Sequence, residues 1–217
     1  HLPLRYEDET CLTPVAASLG GEPVQVEVVV YSNEVQFRPR RQMVVGATDA
    51  SGEITLRFFS FYPSQQAALA VGTRIRAFGE VRGGFFGAEM VHPRFHRVAD
   101  DEPLPTELTP IYPSTAGVAN SALQKLIGKA LAEADLADTL PEDLRQRLNL
   151  PGFARSLRFL HMPPPGTDLA TLQARNHPAW RRIKLDEVLA QQLSLRRAYL
   201  ARRERGAPVL VAREDLG

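Results

Sequence analysis

Polar and apolar residues alternate between residues 23 and 95 with the period of two that is typical of β-strands. The predicted strands are residues 24–30, 43–47, 53–59, 73–81 and 88–91. An alanine-rich segment, residues 63–69, interrupts the alternation and suits one or two helical turns. The pattern therefore predicts five strands, with a short helix between the third and the fourth.

From residue 118 onward, apolar residues recur three and four positions apart, which is the spacing of a helix with one buried face. The predicted helices are residues 118–135, 141–148, 153–161, 167–175 and 177–206. Thr167 suits the N-cap of the fourth helix, and Asn176 suits the cap of the last, with Pro178 in its first turn. The second half of the chain is therefore predicted to be helical.

Four prolines among acidic residues separate these two patterns, which is typical of an extended connector. The strand order before the connector matches an OB-fold, a small Greek-key barrel. We therefore predict an α+β fold in which a five-stranded OB-fold β-barrel precedes a helical extension. The predicted boundaries are 1–99 for the barrel, 100–117 for the connector and 118–217 for the extension.

The chain has 217 residues and a net charge of only +1, so local clusters of charge must hold any polyanionic partner. One such cluster is residues 175–205, with nine basic and three acidic residues. Cys11 is the only cysteine, which excludes an internal disulfide and fits a reducing cytoplasm. No apolar stretch approaches membrane-spanning length. We therefore expect a cytoplasmic protein that has no membrane partner.

The third predicted strand carries more aromatic surface than a barrel core can absorb. Alternation points Phe58 towards the core and exposes Arg57 and Phe59 on the opposite face, with Phe61 in the same register just beyond. Rings beside cations suit unpaired nucleic-acid bases, because each base has a π-face and each phosphate has a charge. The alternative is that a neighbouring element covers Phe59 and Phe61.

Two loops beside this strand also combine aromatic rings with cations. Residues 37–41 join the first two strands, and residues 82–87 join the last two. Glycines in the second loop allow a sharp turn that pushes two phenylalanines outward, although we expect one of them to fold back. The predicted nucleic-acid-binding residues are Phe59, Phe61, Arg57, Phe85, Phe86, Arg82, Arg38, Arg40 and Arg41. Their convergence at one end of a barrel makes nucleic acid the leading partner.

The sequence carries no catalytic or metal-binding pattern. It lacks the glycine-rich loop that holds a triphosphate, and His92 and His96 lack the further ligands that a zinc site needs. The final helix has an apolar side, predicted to pack, and a basic side. The apolar side includes Trp180, Val188, Leu195 and Tyr199, and the basic side includes Arg181, Arg182, Arg196 and Arg197. The basic side is either a solvated face or a contact for duplex phosphates or an acidic partner domain.

Six colinear motifs, which together cover nearly the whole chain, closely resemble the N-terminal part of the bacterial RecG DNA helicases. The motifs are DASGEITLRFF (49–59), AFGE (77–80), GAEMVHP (87–93), LTPIYP (108–113), LHMPP (160–164) and HPAWRR (177–182). The resemblance implies a wedge domain, an OB barrel with a helical extension that splits branched DNA. It places the base-stacking aromatics on residues 58–61 and a contact hairpin at residues 82–87, where Phe85 replaces a residue that is often basic.

The resemblance implies a non-catalytic module of a RecG-type helicase that binds replication forks and Holliday junctions in DNA recombination and repair. We expect a monomeric fragment without a cofactor or ATPase activity. ATP and Mg would act in the motor domains of the same polypeptide, which the resemblance places after this segment. Two alternatives remain open. One is an OB module for single-stranded nucleic acid in another assembly, and the other is a protein-docking adaptor.

Overall fold

The computed structural model describes residues 1–38, 40–84, 87–113 and 117–204. The strands are β1 (Arg5–Glu7), β2 (Pro23–Gln36), β3 (Gln42–Thr48), β4 (Glu53–Phe58), β5 (Arg74–Gly84), β6 (Gly87–Val91), β7 (Arg94–Arg97) and β8 (Thr109–Ile111). The helices are α1 (Pro63–Ala68), α2 (Asn120–Glu133), α3 (Glu142–Arg147), α4 (Phe153–His161), α5 (Leu169–Gln173) and α6 (Pro178–Glu204). The α+β class is confirmed, and α1 lies between the third and fourth predicted strands.

Six strands form the main sheet, in the order β2-β3-β4-β6-β5-β7, and β2 also pairs with β5. The predicted count of five is wrong because β7 carries no apolar alternation. Of its four residues only Phe95 packs against the core. β7 is held instead by backbone pairing along β5, where Phe95 lies opposite Ala77. An edge strand defined by its neighbour's hydrogen bonds leaves little trace in its own sequence.

The core of the sheet is built by the alternation seen in the sequence. Val26, Val28 and Val30 on β2 are buried, as are Ile54 and Leu56 on β4. Burying an aliphatic side chain of this size stabilises the fold by about 1.5–3 kcal/mol. The inward side chains therefore fix the register of β4, and with it the position of the aromatic residues that follow.

A second core joins β1 to the helical part of the chain. Tyr6 on β1 packs in one cluster with Leu160, Leu172 and Trp180, and its hydroxyl donates a hydrogen bond to the Leu160 carbonyl oxygen (2.8 Å). β1 pairs with β8, which lies inside the segment predicted to be a connector without folded structure. That expectation is wrong for residues 109–111, because the proline-rich segment supplies the partner strand for β1.

Helix α6 is anchored through a buried arginine that the sequence assigned to the solvated side. Arg182 is fully buried, and its guanidinium donates to Asp138 (2.7 and 2.8 Å), to Asp186 (2.9 Å) and to the Pro151 carbonyl oxygen (3.1 Å). The prediction for Arg182 is wrong because two carboxylates on separate elements compensate its charge. Trp180, predicted to be buried, is buried.

The later turns of α6 and the start of α5 differ from the predictions. Val188, Leu195 and Tyr199 were expected to pack, yet each is more than half exposed. The Asp168 side chain, rather than that of Thr167, caps α5 by accepting a hydrogen bond from the Ala170 amide (3.0 Å). The apolar pattern of α6 thus continues beyond the part of the helix that the body of the protein covers.

Candidate nucleic-acid interface

Phe59 lies at the point where β4 ends, on the outer surface of the sheet. Its neighbour Phe58 is 2% exposed, which confirms the predicted inward direction. The Phe59 ring is half-buried, with one edge against His92 (ring centroids 5.5 Å apart) and the guanidinium of Arg40 over its face (3.7 Å). An exposed cation–π contact of this kind is worth about 0.5–1 kcal/mol. The His92 contact therefore holds one edge of the ring, while the exposed Arg40 side chain covers its outer face.

His92 positions the backbone of Phe59. The Phe59 amide donates to His92 Nε2 (3.2 Å), and the His92 amide donates to the Arg57 carbonyl oxygen (2.8 Å). His92 adopts a φ of 50°, a left-handed conformation that is uncommon for a residue other than glycine. Sequence reasoning considered His92 only as a metal ligand. Its place directly after the last predicted strand was the available signal.

Phe61 is not exposed, and this prediction is wrong. Its ring is 7% exposed and belongs to the core of the main sheet, with the Arg41 guanidinium 4.3 Å from the ring centroid on the solvent side. Alternation holds only while a strand continues. β4 ends at Phe58 and the backbone bends at residues 59 and 60, so Phe61 turns inward before α1 begins.

The loop between β2 and β3 lies beside these rings and is exposed. Phe37 is 71% exposed, and Arg38, Arg40 and Arg41 are all exposed, while Pro39 lies outside the described residues. Arg40 and Arg41 stack on neighbouring aromatic rings of the β4 end. The structure thus brings together two of the predicted features, the loop cations and the aromatic strand.

Arg57 is committed to the sheet rather than free for a phosphate. Its guanidinium donates twice to Glu89 (3.1 and 2.8 Å) and once to Gln42 (3.0 Å), across three strands. The hydrogen bonds to Glu89 raise the pKa of Arg57, and the Arg57 side chain is only 20% exposed. The prediction of a free cation at this position is therefore wrong, because a neighbouring carboxylate balances its charge.

The β5–β6 hairpin is described only in its arms. Arg82 is exposed and forms a bidentate ion pair with Glu80 (2.9 Å for both contacts). Phe85 and Phe86, predicted to contact nucleic acid, lie outside the described residues. Arg82 is solvated and can exchange Glu80 for another anion, since an exposed pair of this kind contributes little stability.

Two exposed rings near the site lie in segments that the sequence singled out, but they are not among the predicted binding residues. Phe37 lies in the loop itself, and Tyr62 is 73% exposed directly before α1. Phe37 lies between β2 and β3, and Tyr62 directly follows the aromatic run. The position of both rings in loops was the available signal. Among the described residues no group of three or more His, Cys, Asp or Glu side chains could hold a metal ion. The arrangement of rings and arginines can stack bases and neutralise phosphates.

The comparisons with known proteins agree with one another. A family model of the RecG wedge domain matches residues 1–134. The ATP-dependent DNA helicase RecG of Escherichia coli (strain K12) is 43% identical over 205 residues, covering 90% of this chain and 29% of the relative. RecG of Pasteurella multocida (strain Pm70) is 36% identical over 221 residues, covering all of this chain and 32% of the relative. The chain thus spans about a third of the length of these relatives.

A solved structure shares the fold. The structure of RecG bound to a three-way DNA junction superimposes with a TM-score of 0.61 at 21% sequence identity, covering 99% of this chain and 29% of that chain.

Within the part of the chain that the structure describes, no helix is long and apolar enough to cross a membrane.

Proposed function

The chain belongs to the RecG wedge domain family, and on that premise we propose that it binds branched DNA as the junction-splitting module of a RecG-type helicase. Replication forks and Holliday junctions are its proposed substrates. The rest of the polypeptide would supply the ATP- and Mg-dependent motor. In this proposal the segment itself carries out no chemistry and holds no cofactor.

The observation that carries the proposal is the Arg40 guanidinium over the face of Phe59 at the end of β4. A planar cation occupies the place that a nucleic-acid base would take on the ring. On binding, the last base pair of an arm stacks on Phe59, and Arg40 moves aside to a phosphate. Arg38 and Arg41 border the same loop and stabilise the backbone of the departing strand.

We further propose that the main sheet closes into an OB-fold barrel. β2 pairs with β3 through its C-terminal half and with β5 through its N-terminal half. The circuit β2-β3-β4-β6-β5 then returns to β2, with β7 as an added edge strand. In this arrangement residues 1–99 form the wedge, 100–117 the connector and 118–217 the extension towards the motor. The closed barrel gives the strands of the junction a rigid body to separate around.

Substitution of Phe59 tests the proposal. We expect Phe59→Ala to weaken binding to a three-way junction by about 1–3 kcal/mol, the value of one stacked base. Thermal unfolding should change little, since the ring is half-buried and at the edge of the core. The measurement is a binding titration with a labelled junction, in parallel with a single strand of the same length.

Tyr199→Ala is the matched control, because Tyr199 is also an exposed aromatic residue but lies on α6, 53% exposed. It should bind the junction like the unmodified chain. Equal affinity for the junction and the single strand would favour a single-strand module over a wedge. Unchanged junction binding by Phe59→Ala would remove the barrel end from the DNA site.

A further inference from the structure

A cleft in the helical part of the molecule collects arginine side chains. It has a volume of about 500 Å³, and α3, α4 and the start of α6 form its walls. Three arginines line it, namely Arg145, Arg155 and Arg181, and no acidic residue does among those described. We call these residues and the space between them the arginine cleft. It belongs to a different core from the Phe59 site.

Two of the three arginines are available to a ligand. Arg155 and Arg181 are exposed, and neither forms an ion pair or a side-chain hydrogen bond with any described residue. Arg145 is already satisfied, because it donates to both carboxylate oxygens of Glu142 and to the Leu150 carbonyl oxygen (3.1 Å). The cleft therefore presents two uncompensated guanidinium groups beside a neutral wall.

The wall of the cleft contains a stacked pair of neutral rings. His177 stacks on Phe159 with ring centroids 4.1 Å apart and planes 7° apart. His177 Nδ1 accepts a hydrogen bond from the Ala179 amide (3.2 Å), which leaves the ring proton on Nε2. Partial burial lowers the pKa of His177, so the ring stays neutral at physiological pH. A ligand with anionic oxygens thus meets two cations beside a rigidly stacked pair of rings.

We propose that the arginine cleft binds phosphate groups of a duplex arm of the DNA. Guanidinium forks match phosphate geometry, and a duplex offers phosphates in a repeating row. An acidic protein segment fits less well, because a protein interface needs a desolvated apolar or aromatic anchor at its centre. None of the large apolar residues that are strongly exposed in the described chain lines the cleft. The identity of the ligand as DNA rests on the proposed function.

A pair of double variants tests this site. Arg155→Ala/Arg181→Ala removes both free cations, and Arg196→Ala/Arg197→Ala removes the same charge from the exposed later turns of α6. Each is titrated with a three-way junction at salt concentrations from 50 to 200 mM. Each lost phosphate contact makes the dependence of log K on log salt shallower by about 0.9. Between 50 and 200 mM salt, the fold-decrease in junction affinity of the cleft variant should therefore be about ten times smaller than that of the unmodified chain.

The length of the junction arms locates the contact. Arms of about two helical turns carry phosphates well away from the branch point, whereas arms of about half a turn do not, at about 10.5 base pairs per turn. We expect the junction affinity of the cleft variant to differ from that of the unmodified chain only when the arms are long. The α6 control should bind like the unmodified chain to long-armed and short-armed junctions. Thermal melts check that both variants fold.

The outcomes separate the two proposals. Equal loss in both double variants would mean general charge attraction and would overturn the cleft. Unchanged binding by the cleft variant on long arms would also overturn it and leave an acidic protein partner as the occupant. If Phe59→Ala binds normally while the cleft variant does not, the barrel proposal fails and the arginine cleft stands.

Discussion

Phe59 and Phe61 stand two positions apart, yet one ring faces solvent beside Arg40 and the other closes the core beneath Arg41. The difference arises from a single bend after β4. A guanidinium lies over each ring, but the two rings differ in burial. Arg41 lies over a ring of the buried core, whereas Arg40 lies over a half-buried ring that contacts His92 at one edge.

The core position of Phe61 predicts its mutational behaviour. Phe61→Ala should lower the free energy of unfolding by about 3–5 kcal/mol, because it leaves a cavity in a buried cluster. Phe59→Ala, as the control, should cost much less stability. Denaturant unfolding of both variants is the measurement. A Phe61→Ala variant as stable as Phe59→Ala would mean that residue 61 lies outside the core.

At the residue scale, the sequence predicted the direction of some side chains correctly and of others wrongly. Phe58 could be predicted to face inward because the strand pattern continues through it. Phe61 could not, since the end of a strand depends on backbone hydrogen bonds that no local pattern records. The partner of Arg57 was equally hidden, because Glu89 lies 32 positions away and reaches it only through the pairing of β4 with β6.

Among the elements, α6 shows how one buried charge can organise several segments. Arg182 on α6 binds Asp138 in the segment after α2 and Asp186 one turn further along its own helix. Asp138 also accepts hydrogen bonds from the Phe153 and Leu140 amides (2.9 and 3.1 Å). Two helices, α4 and α6, thus meet the segment between α2 and α3 at one carboxylate. The hydrogen bonds with Arg182 hold the pKa of Asp138 well below its usual range.

Removing the Asp138 charge should destabilise the helical part. Asp138→Asn leaves the fully buried Arg182 with one carboxylate, and we expect a loss of about 3 kcal/mol at pH 7. A lowered folded-state pKa stabilises the protein above the ordinary value near 3.9, and this stabilisation is lost as the pH falls below that value. The difference in the free energy of unfolding between the unmodified chain and Asp138→Asn should therefore narrow in acid.

Chemical unfolding between pH 7 and pH 3 measures that gap, with Asp143→Asn as the control. Asp143 is exposed and forms no ion pair with any described residue, so its replacement should change stability little. A gap that stays constant down to pH 3 would contradict the assignment of the ion pair. The sequence predicted α6 itself, but it could not show Arg182 inside, since arginine is rarely buried without a partner.

Over the whole molecule, the first strand and the last helices form one core. β1 pairs with β8, Tyr6 contacts Leu160, and the Tyr112 hydroxyl shares a hydrogen bond with His161 Nδ1 (2.8 Å). Burial lowers the pKa of His161 to about 4 and raises the pKa of Tyr112 to about 12, so both groups stay neutral at physiological pH. The Tyr112–His161 hydrogen bond therefore joins two uncharged groups.

His161 should make the whole chain sensitive to mild acid. Its folded-state pKa of about 4 lies below the unfolded value near 6.5, so the unfolded chain takes up the proton first. Stability should fall by about 3 kcal/mol as the pH drops from about 6.5 to about 4. His161→Gln should remove most of this slope, while His177, whose pKa burial also lowers, leaves a residual one.

Thermal melts across that pH range give the comparison. His96→Gln is the control, because the His96 side chain is 53% exposed, and its slope should match that of the unmodified chain. A His161→Gln protein that keeps the full slope would place the titrating group elsewhere.

At this scale the order of strands and helices followed from periodicity, while the packing of β1 against β8 and the helices did not. β1 has only three residues, and its partner lies more than 100 positions later. A pairing so short and so distant has no local signature, and proline at position 110 argues against a strand there. The same holds for the arginine cleft, whose walls come from three separate helices.

The contact of Tyr6 with Leu160 also bears on how the chain is made. The two residues are 154 positions apart, which the ribosome covers in roughly 8–30 s at about 5–20 residues per second. The main sheet, residues 23–97, is complete before then, and β1 has no partner strand until residues 109–111 of β8 follow. An unpaired strand is open to wrong pairing during that interval. β1 thus completes its contacts only when the helices that hold Leu160, Leu172 and Trp180 have been made.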